Sequence, residues 1–339
     1  MRGALKFVVC GALAIGLAEA TPAVANDSTS ELGAGGLVLT RNAAIEMRSE
    51  DLYISDKAVR VRYHFANTAQ KDVNVTVAFP MPDITTGGVD DTLGVPTEDQ
   101  TNFLAFTTLV DGKPVRTRVE QKVIKNGVDR TAYLRGLGVP LNPYTQAADA
   151  ALDRLPKGRQ DDLFRLGLAV NNDFDVGKGM EHHLAAAWTL KTTFFWEQIF
   201  PAGREIVVEH RYTPAVGSSA GTQWGSIDWP KDPAFARLRR HYCVDDTFIA
   251  SAARTRPPGE TSSPLTEERI EYVLTTGANW KAPIGEFRMV IDKGDPANLV
   301  SFCGEGVRKI GPTTFEVHYR HFTPTREVSV LILKPRPKS

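Results

Sequence analysis

Val59-Arg60-Val61-Arg62-Tyr63-His64-Phe65 alternates apolar and polar residues along its whole length. Successive side chains of a strand point to opposite faces, so Val59, Val61, Tyr63 and Phe65 share a face to be buried. Arg60, Arg62 and His64 are left to water. Beyond the polar turn from Asn67 to Lys71 the pattern returns at Val73, Val75, Val77 and Phe79, and Pro80 and Pro82 end it. The two runs predict an antiparallel pair with one wet face.

Further runs of the same kind extend in both directions. Phe103 to Val110 and Val115 to Ile124 flank Asp111-Gly112, a strong hairpin dipeptide. Phe194 to Phe200 and Arg204 to Tyr212 flank Phe200-Pro201-Ala202-Gly203, with proline and glycine placed as a type I turn wants them. Ile270 to Leu274, Phe287 to Ile291, Phe315 to Tyr319 and Val328 to Leu333 add strands in the last third. Helical signals are confined to the middle. Thr145 caps a stretch bearing Ala148, Ala151, Leu152 and Leu155, and Asp161-Asp162 open one with Leu163, Leu166 and Val170. Asp232 and Pro233 start a third, with Phe235, Leu238 and Tyr242, closed by Arg256-Pro257-Pro258-Gly259.

The expected fold is mainly β, two β-sandwich-like units with helical insertions. The first unit spans 26–215 with its helical insertion at about 140–185, the second spans 226–339, and Gly217 to Gly221 lie in a flexible stretch between them. The start of the first unit, Asn26 to Gly36, is polar and glycine-bearing and reads as an exposed arm.

Residues 1–25 read as a signal peptide. Arg2 and Lys6 precede an apolar run from Phe7 to Ala18, and Ala23-Val24-Ala25 supplies an A-x-A site, so cleavage is expected after Ala25. The run is about a dozen residues where a membrane span needs roughly 20. Periplasmic or secreted localisation follows, with no transmembrane span. Removing the signal removes Cys10 and leaves Cys243 and Cys303 in an oxidising compartment, where a disulfide is expected. From totals of 40 Lys+Arg and 40 Asp+Glu, loss of Arg2, Lys6 and Glu19 leaves 38 and 39. A balance that even, with no basic block, argues against a nucleic-acid partner.

Several phrases resemble an uncharacterised family of exported bacterial proteins known only as a domain of unknown function. They are Asn26-Asp27-Ser28 with Gly35-Gly36-Leu37, Met47 to Ser55, Val77-Ala78-Phe79-Pro80-Met81-Pro82-Asp83, Phe200 through Tyr212, and Thr276-Gly277-Ala278-Asn279-Trp280. The likeness implies export and brings no activity, cofactor or catalytic residue.

No motif specifies a reaction. Asn171 to Gly177 alternates oxygen side chains as a calcium loop would, but glycine falls one place late for an EF-hand and His182 stands where the bidentate acid belongs. His182-His183 and His318 with His321 cannot chelate from regular backbone, because their side chains point apart. Gly217-Ser218-Ser219-Ala220-Gly221 lacks the strand-turn-helix context of a nucleophile elbow. The acid pairs Asp90-Asp91, Asp161-Asp162 and Asp245-Asp246 are sequence neighbours, and glycoside cleavage needs carboxyls facing across a sugar. Neither cofactor, metal nor catalytic residue is assigned. Trp224, Trp229 and Trp280 remain as ligand-binding candidates, since flat aromatic faces can stack on a sugar or clamp a side chain. The expected function is an envelope module that binds a protein or glycan partner without catalysis. The alternative is a glycan-directed periplasmic hydrolase whose acids come from distant segments.

Overall fold

The computed structural model describes residues 27–33, 36–86, 92–175, 177 and 179–336. The expected signal with its cleavage site, and Asp90-Asp91, lie outside them. The fold is mainly β. Its strands form sheets of seven, eight and five strands, with two short ribbons beside them.

Val59–Asn67 runs in the eight-stranded sheet between Ile45–Ile54 and Glu205–Tyr212, antiparallel to both. Val73–Pro80 runs in the seven-stranded sheet between Thr189–Phe200 and Ser28–Gly33. The antiparallel pair expected of these two runs is therefore not made: the turn between them carries the chain from one sheet to the other. Phe200-Pro201-Ala202-Gly203 makes the same crossing in reverse, from Thr189–Phe200 to Glu205–Tyr212. Asn67 ties the two crossings together, its Nδ2 donating to the carbonyls of Lys71 (2.9 Å) and Phe200 (2.8 Å). Alternation gives each strand an inner face; it does not choose the neighbour.

The inner faces of the two large sheets meet in one aromatic core. Phe79 lies 5.2 Å from Phe106, Phe106 4.3 Å from Phe194, and Phe65 4.5 Å from Trp280, measured between ring centroids. Asp111-Gly112 makes the expected hairpin between Thr107–Val110 and Lys113–Val115. The next strand, Arg118–Lys125, then leaves for the other sheet and pairs with Thr189–Phe200.

Two expectations about organisation fail. The Asn26 to Gly36 arm is not exposed from its start: Asp27 to Ser30 are buried, and Ser28–Gly33 pairs with both Val73–Pro80 and Gly36–Thr40. Nor do the sheets divide at 215–226. Ile284–Asp292 inserts beside Ile45–Ile54 in parallel, bringing Thr314–Phe322 with it into the eight-stranded sheet. Val216–Ser219, expected to be flexible, bonds to Leu265–Tyr272 on one side and Thr92–Gly94 on the other. Glycines and serines there suit close strand packing as well as they suit a linker.

Thr145 caps the helix Gln146–Asp153 as expected, and Asp232 caps Pro233–His241. Lys157–Arg165 starts earlier than the acid pair suggested and ends before Leu166. The third expected helix is two: a break at Tyr242 to Val244 precedes Asp246–Arg254, capped by Asp245, and the Pro-Pro-Gly turn closes that second one. Cys243 sits in the break in left-handed conformation (φ 51°), bonded to Cys303 just past the strand Leu299–Phe302. The bridge ties the helical pair to the five-stranded sheet.

Candidate functional site

The outer face of the eight-stranded sheet carries the side chains that alternation leaves to water, and register sorts them into rows. In one row Arg288, Asp51, Arg62 and Glu209 stand opposite one another on four adjacent strands. Their charges are mutually satisfied: Arg288 reaches Asp51 at 2.9 Å and Glu316 at 2.7 Å, and Arg62 lies 3.8 Å from Glu209. The next row reads Val290, Tyr53, Arg60, Arg211 and Thr107. Here Arg60 faces Arg211 directly. Neither guanidinium has a carboxylate partner among the described residues; that of Arg60 lies over the Tyr53 ring, 4.1 Å from its centroid.

Directly opposed side chains on antiparallel strands have Cβ atoms about 5 Å apart, and like charges so placed cost up to about 1 kcal/mol. The pair lies in a groove of 1050 Å³ whose wall also bears the exposed Arg116. Five arginines and two acids line it. An anion placed there would gain charge-assisted bonds of about 1.5–3 kcal/mol each, more than the repulsion costs. Tyr53 also lines a second groove of 790 Å³, where its hydroxyl donates to Asp292 Oδ2 (2.8 Å). Burial, reinforced by that carboxylate, pushes the Tyr53 hydroxyl pKa up and keeps it a donor.

Beneath the groove lies a buried polar relay. His210 occupies an inward position of its strand, its Nδ1 2.9 Å from Thr108 Oγ1 and its Nε2 3.0 Å from Asp27 Oδ1. Trp280 Nε1 donates to the Asp27 carbonyl (2.7 Å). Nearby, the Tyr63 and Tyr272 hydroxyls share a 3.1 Å bond, and that of Tyr272 is 3.4 Å from Glu50 Oε1. Burial raises the pKa of the Asp27 carboxyl, against the opposing pull of His210, and raises those of both tyrosines.

Thr108, His210 and Asp27 have the residue types of a hydroxyl nucleophile, a base and its orienter. Their surroundings do not admit a substrate. The imidazole and the carboxylate are wholly inaccessible, and the ring is enclosed by Phe79 at 4.8 Å, Phe106 at 5.0 Å and Trp196 at 5.3 Å. In this position the relay fastens the Asp27 segment across the core.

The structure spends the tryptophans on packing. Trp280 and Trp224 are each 1% exposed, the first against Phe65 and the second against Trp229 and Phe248, so neither offers a face to a ligand. A large flat ring relieves most water contact where layers meet, which is what both do. Trp229 is half-buried at the edge of that smaller cluster. The other constellations have local partners. Asp175 Oδ1 accepts from Gly177 N (2.8 Å), Asp173 pairs with His182 and His318 with Glu286. His183 bridges Asp153 and Glu181, while Asp161 and Asp162 pair with Lys157, Arg159 and Arg165. Among the described residues no three His, Cys, Asp or Glu gather as a metal site.

The profile of a family described as Domain of unknown function (DUF4424) matches residues 25–331. The chain belongs to that family. No curated protein matches it. Several solved structures resemble this DUF4424 chain at a distance, two of them as follows. One, from Legionella pneumophila and described as a "putative nutrient binding protein", is 15% identical over 91% of this chain and 70% of its own, with a TM-score of 0.44. The other, an M1 zinc metallopeptidase from Deinococcus radiodurans, is 7% identical over 87% of this chain and 43% of its own, with a TM-score of 0.22. At such similarity neither carries an argument about what the DUF4424 chain binds or does.

Sequence reasoning passed over Arg60, Arg211, His210 and Asp27. For His210 a signal existed: it shares the parity of Ile206, Val208 and Tyr212, all inward. For the arginine pair there was none, because the register that opposes two strands 150 residues apart in sequence is not written in either.

Proposed function

We propose that this is an exported, non-catalytic binding protein, released behind Ala25 into the periplasm or beyond, which holds an anionic ligand in the arginine groove. The observation that carries the reading is the Arg60–Arg211 pair: two exposed like charges set opposite each other without an acid. A sheet face chosen for stability alone would alternate signs, as the neighbouring row does. The two acids of the groove, Asp51 and Glu209, each lie against an arginine, Arg288 at 2.9 Å and Arg62 at 3.8 Å, which weighs against the hydrolase alternative, since glycoside cleavage needs a carboxyl held as a proton donor.

The test uses protein purified from the envelope fraction of expressing cells, with amino-terminal sequencing expected to start at Asn26. Titration with a labelled polyanion, polygalacturonate or inorganic polyphosphate, at low and high salt is expected to give binding that weakens as salt rises. The Arg60→Gln/Arg211→Gln double variant should bind about tenfold more weakly, the loss of roughly one charge-assisted bond. Lys157→Gln, on a distant helix, should bind as wild type. Failure of wild-type protein to bind any of these at low salt would overturn the reading.

A further inference from the structure

We infer that the ligand is an acidic polysaccharide, with a carboxylate seated between Arg60 and Arg211 and neutral, hydroxyl-rich rings running over Tyr53 into the second groove; this rests on the binding function proposed above. The two grooves share Tyr53 and Arg60, so they form one path across the sheet. Its charge changes along the way. The first part is cationic, whereas the second sets Lys57 and Lys334 against Asp56, Asp292 and Asp295.

That distribution discriminates among anions. Polyphosphate, nucleic acid or polyglutamate carries a charge at every repeat and would bring some of them onto Asp292 and Asp295, Asp56 being already paired with Lys334 at 2.7 Å, which costs energy instead of gaining it. A chain with one charge at the arginines and hydroxyls beyond meets both donors and acceptors in the second groove, which hydroxyls can satisfy in either sense. An extended acidic peptide is disfavoured for a further reason. Peptides gain affinity from strand addition at a sheet edge, and the edge beside this groove, Lys113–Val115, is three residues long and contains Pro114. The first part of the path crosses paired strands on the sheet's face, where the backbone groups are taken up in the ladders. Five strands, from Thr107–Val110 to Ile284–Asp292, give that first part a length of about 20 Å at about 4.8 Å per strand. Several sugar rings fit that span.

The probes are a xylotetraose bearing a single glucuronate, its methyl ester, a hexaglutamate peptide and inorganic polyphosphate, each titrated against the intact protein at low salt. The singly charged oligosaccharide is expected to bind at least about tenfold tighter than the ester, the peptide and polyphosphate. Lys57→Ala, in the second groove, should weaken the singly charged oligosaccharide about threefold and leave polyphosphate unchanged. Lys57 is exposed, and an unchanged melting temperature confirms that the variant folds. Equal or tighter binding of the peptide or polyphosphate, or indifference to Lys57→Ala, overturns the polysaccharide assignment while leaving the anion groove standing. Binding of none of the charged probes overturns the groove itself.

Discussion

Single residues in this protein do one of two jobs, and burial decides which. Arg60 and His64 stand on the same strand as Tyr63 and Phe65, yet the first two meet solvent and the second two are sealed in the core. His210 belongs to the sealed set. Replacing it with alanine would remove the imidazole hydrogen bond of the buried Asp27 carboxyl, which costs about 1–3 kcal/mol. Denaturant unfolding of His210→Ala would measure it; a loss under about 1 kcal/mol would mean that the relay contributes little. His183 gives the pH test. Its bond to Asp153, seconded by Glu181, raises the imidazole pKa above the ordinary value of 6.5. A raised basic pKa means that the stabilisation is complete below the unfolded value and is lost as pH climbs through the folded one. Proton NMR should find His183 titrating above 6.5, and Asp153→Asn should bring it down.

At the scale of elements, the odd strand is Ile284–Asp292, the parallel neighbour of Ile45–Ile54 in a region of antiparallel pairs. The strand beside it carries a register shift between Met47 and Ser49, at Arg48. Gly285 approaches that irregularity so closely that a Cβ would lie 2.5 Å from the Arg48 carbonyl oxygen. Backbone cannot yield as a side chain can, so Gly285→Ala should cost about 1–3 kcal/mol and loosen this pairing. Gly158, in the helix Lys157–Arg165, has nothing within 4 Å of the same position. There alanine should be stabilising by about 0.5–1 kcal/mol. Paired thermal melts of the two variants, moving in opposite directions, would check both. Helix caps were legible in the sequence at Thr145 and Asp232 because a cap is a local bond, two or three residues long. The split of the third helix was missed although Asp245 caps its second half by an equally local bond from Phe248 N (2.7 Å), because the acid pair there was weighed only for glycoside cleavage.

Across the whole molecule, the chain crosses between sheets at both of its main corners and returns Ile284–Asp292 and Thr314–Phe322 of its last third to the eight-stranded sheet. Long-range closure of that kind is where a bridge is most effective. Opening Cys243–Cys303, by reductant or as Cys303→Ser, should remove up to roughly 4 kcal/mol in the loop-entropy account. Melting with and without reductant would report it, and the loss should fall first on the helices Pro233–His241 and Asp246–Arg254, which the bridge ties to the sheet.

Which face of each strand is buried was settled by the sequence alone, because alternation is a property of consecutive residues and side-chain direction follows from backbone geometry. The mainly β character, the two best helix starts and the Cys243–Cys303 pairing came the same way, from local chemistry and from the short supply of thiols. Apart from the Asp111-Gly112 hairpin, which strand lies beside which was decided only in three dimensions. The pairing of Val59–Asn67 with Glu205–Tyr212 depends on two corners and a shared core, and no short stretch encodes it. The opposed arginines, and with them the candidate site, exist only because of that register.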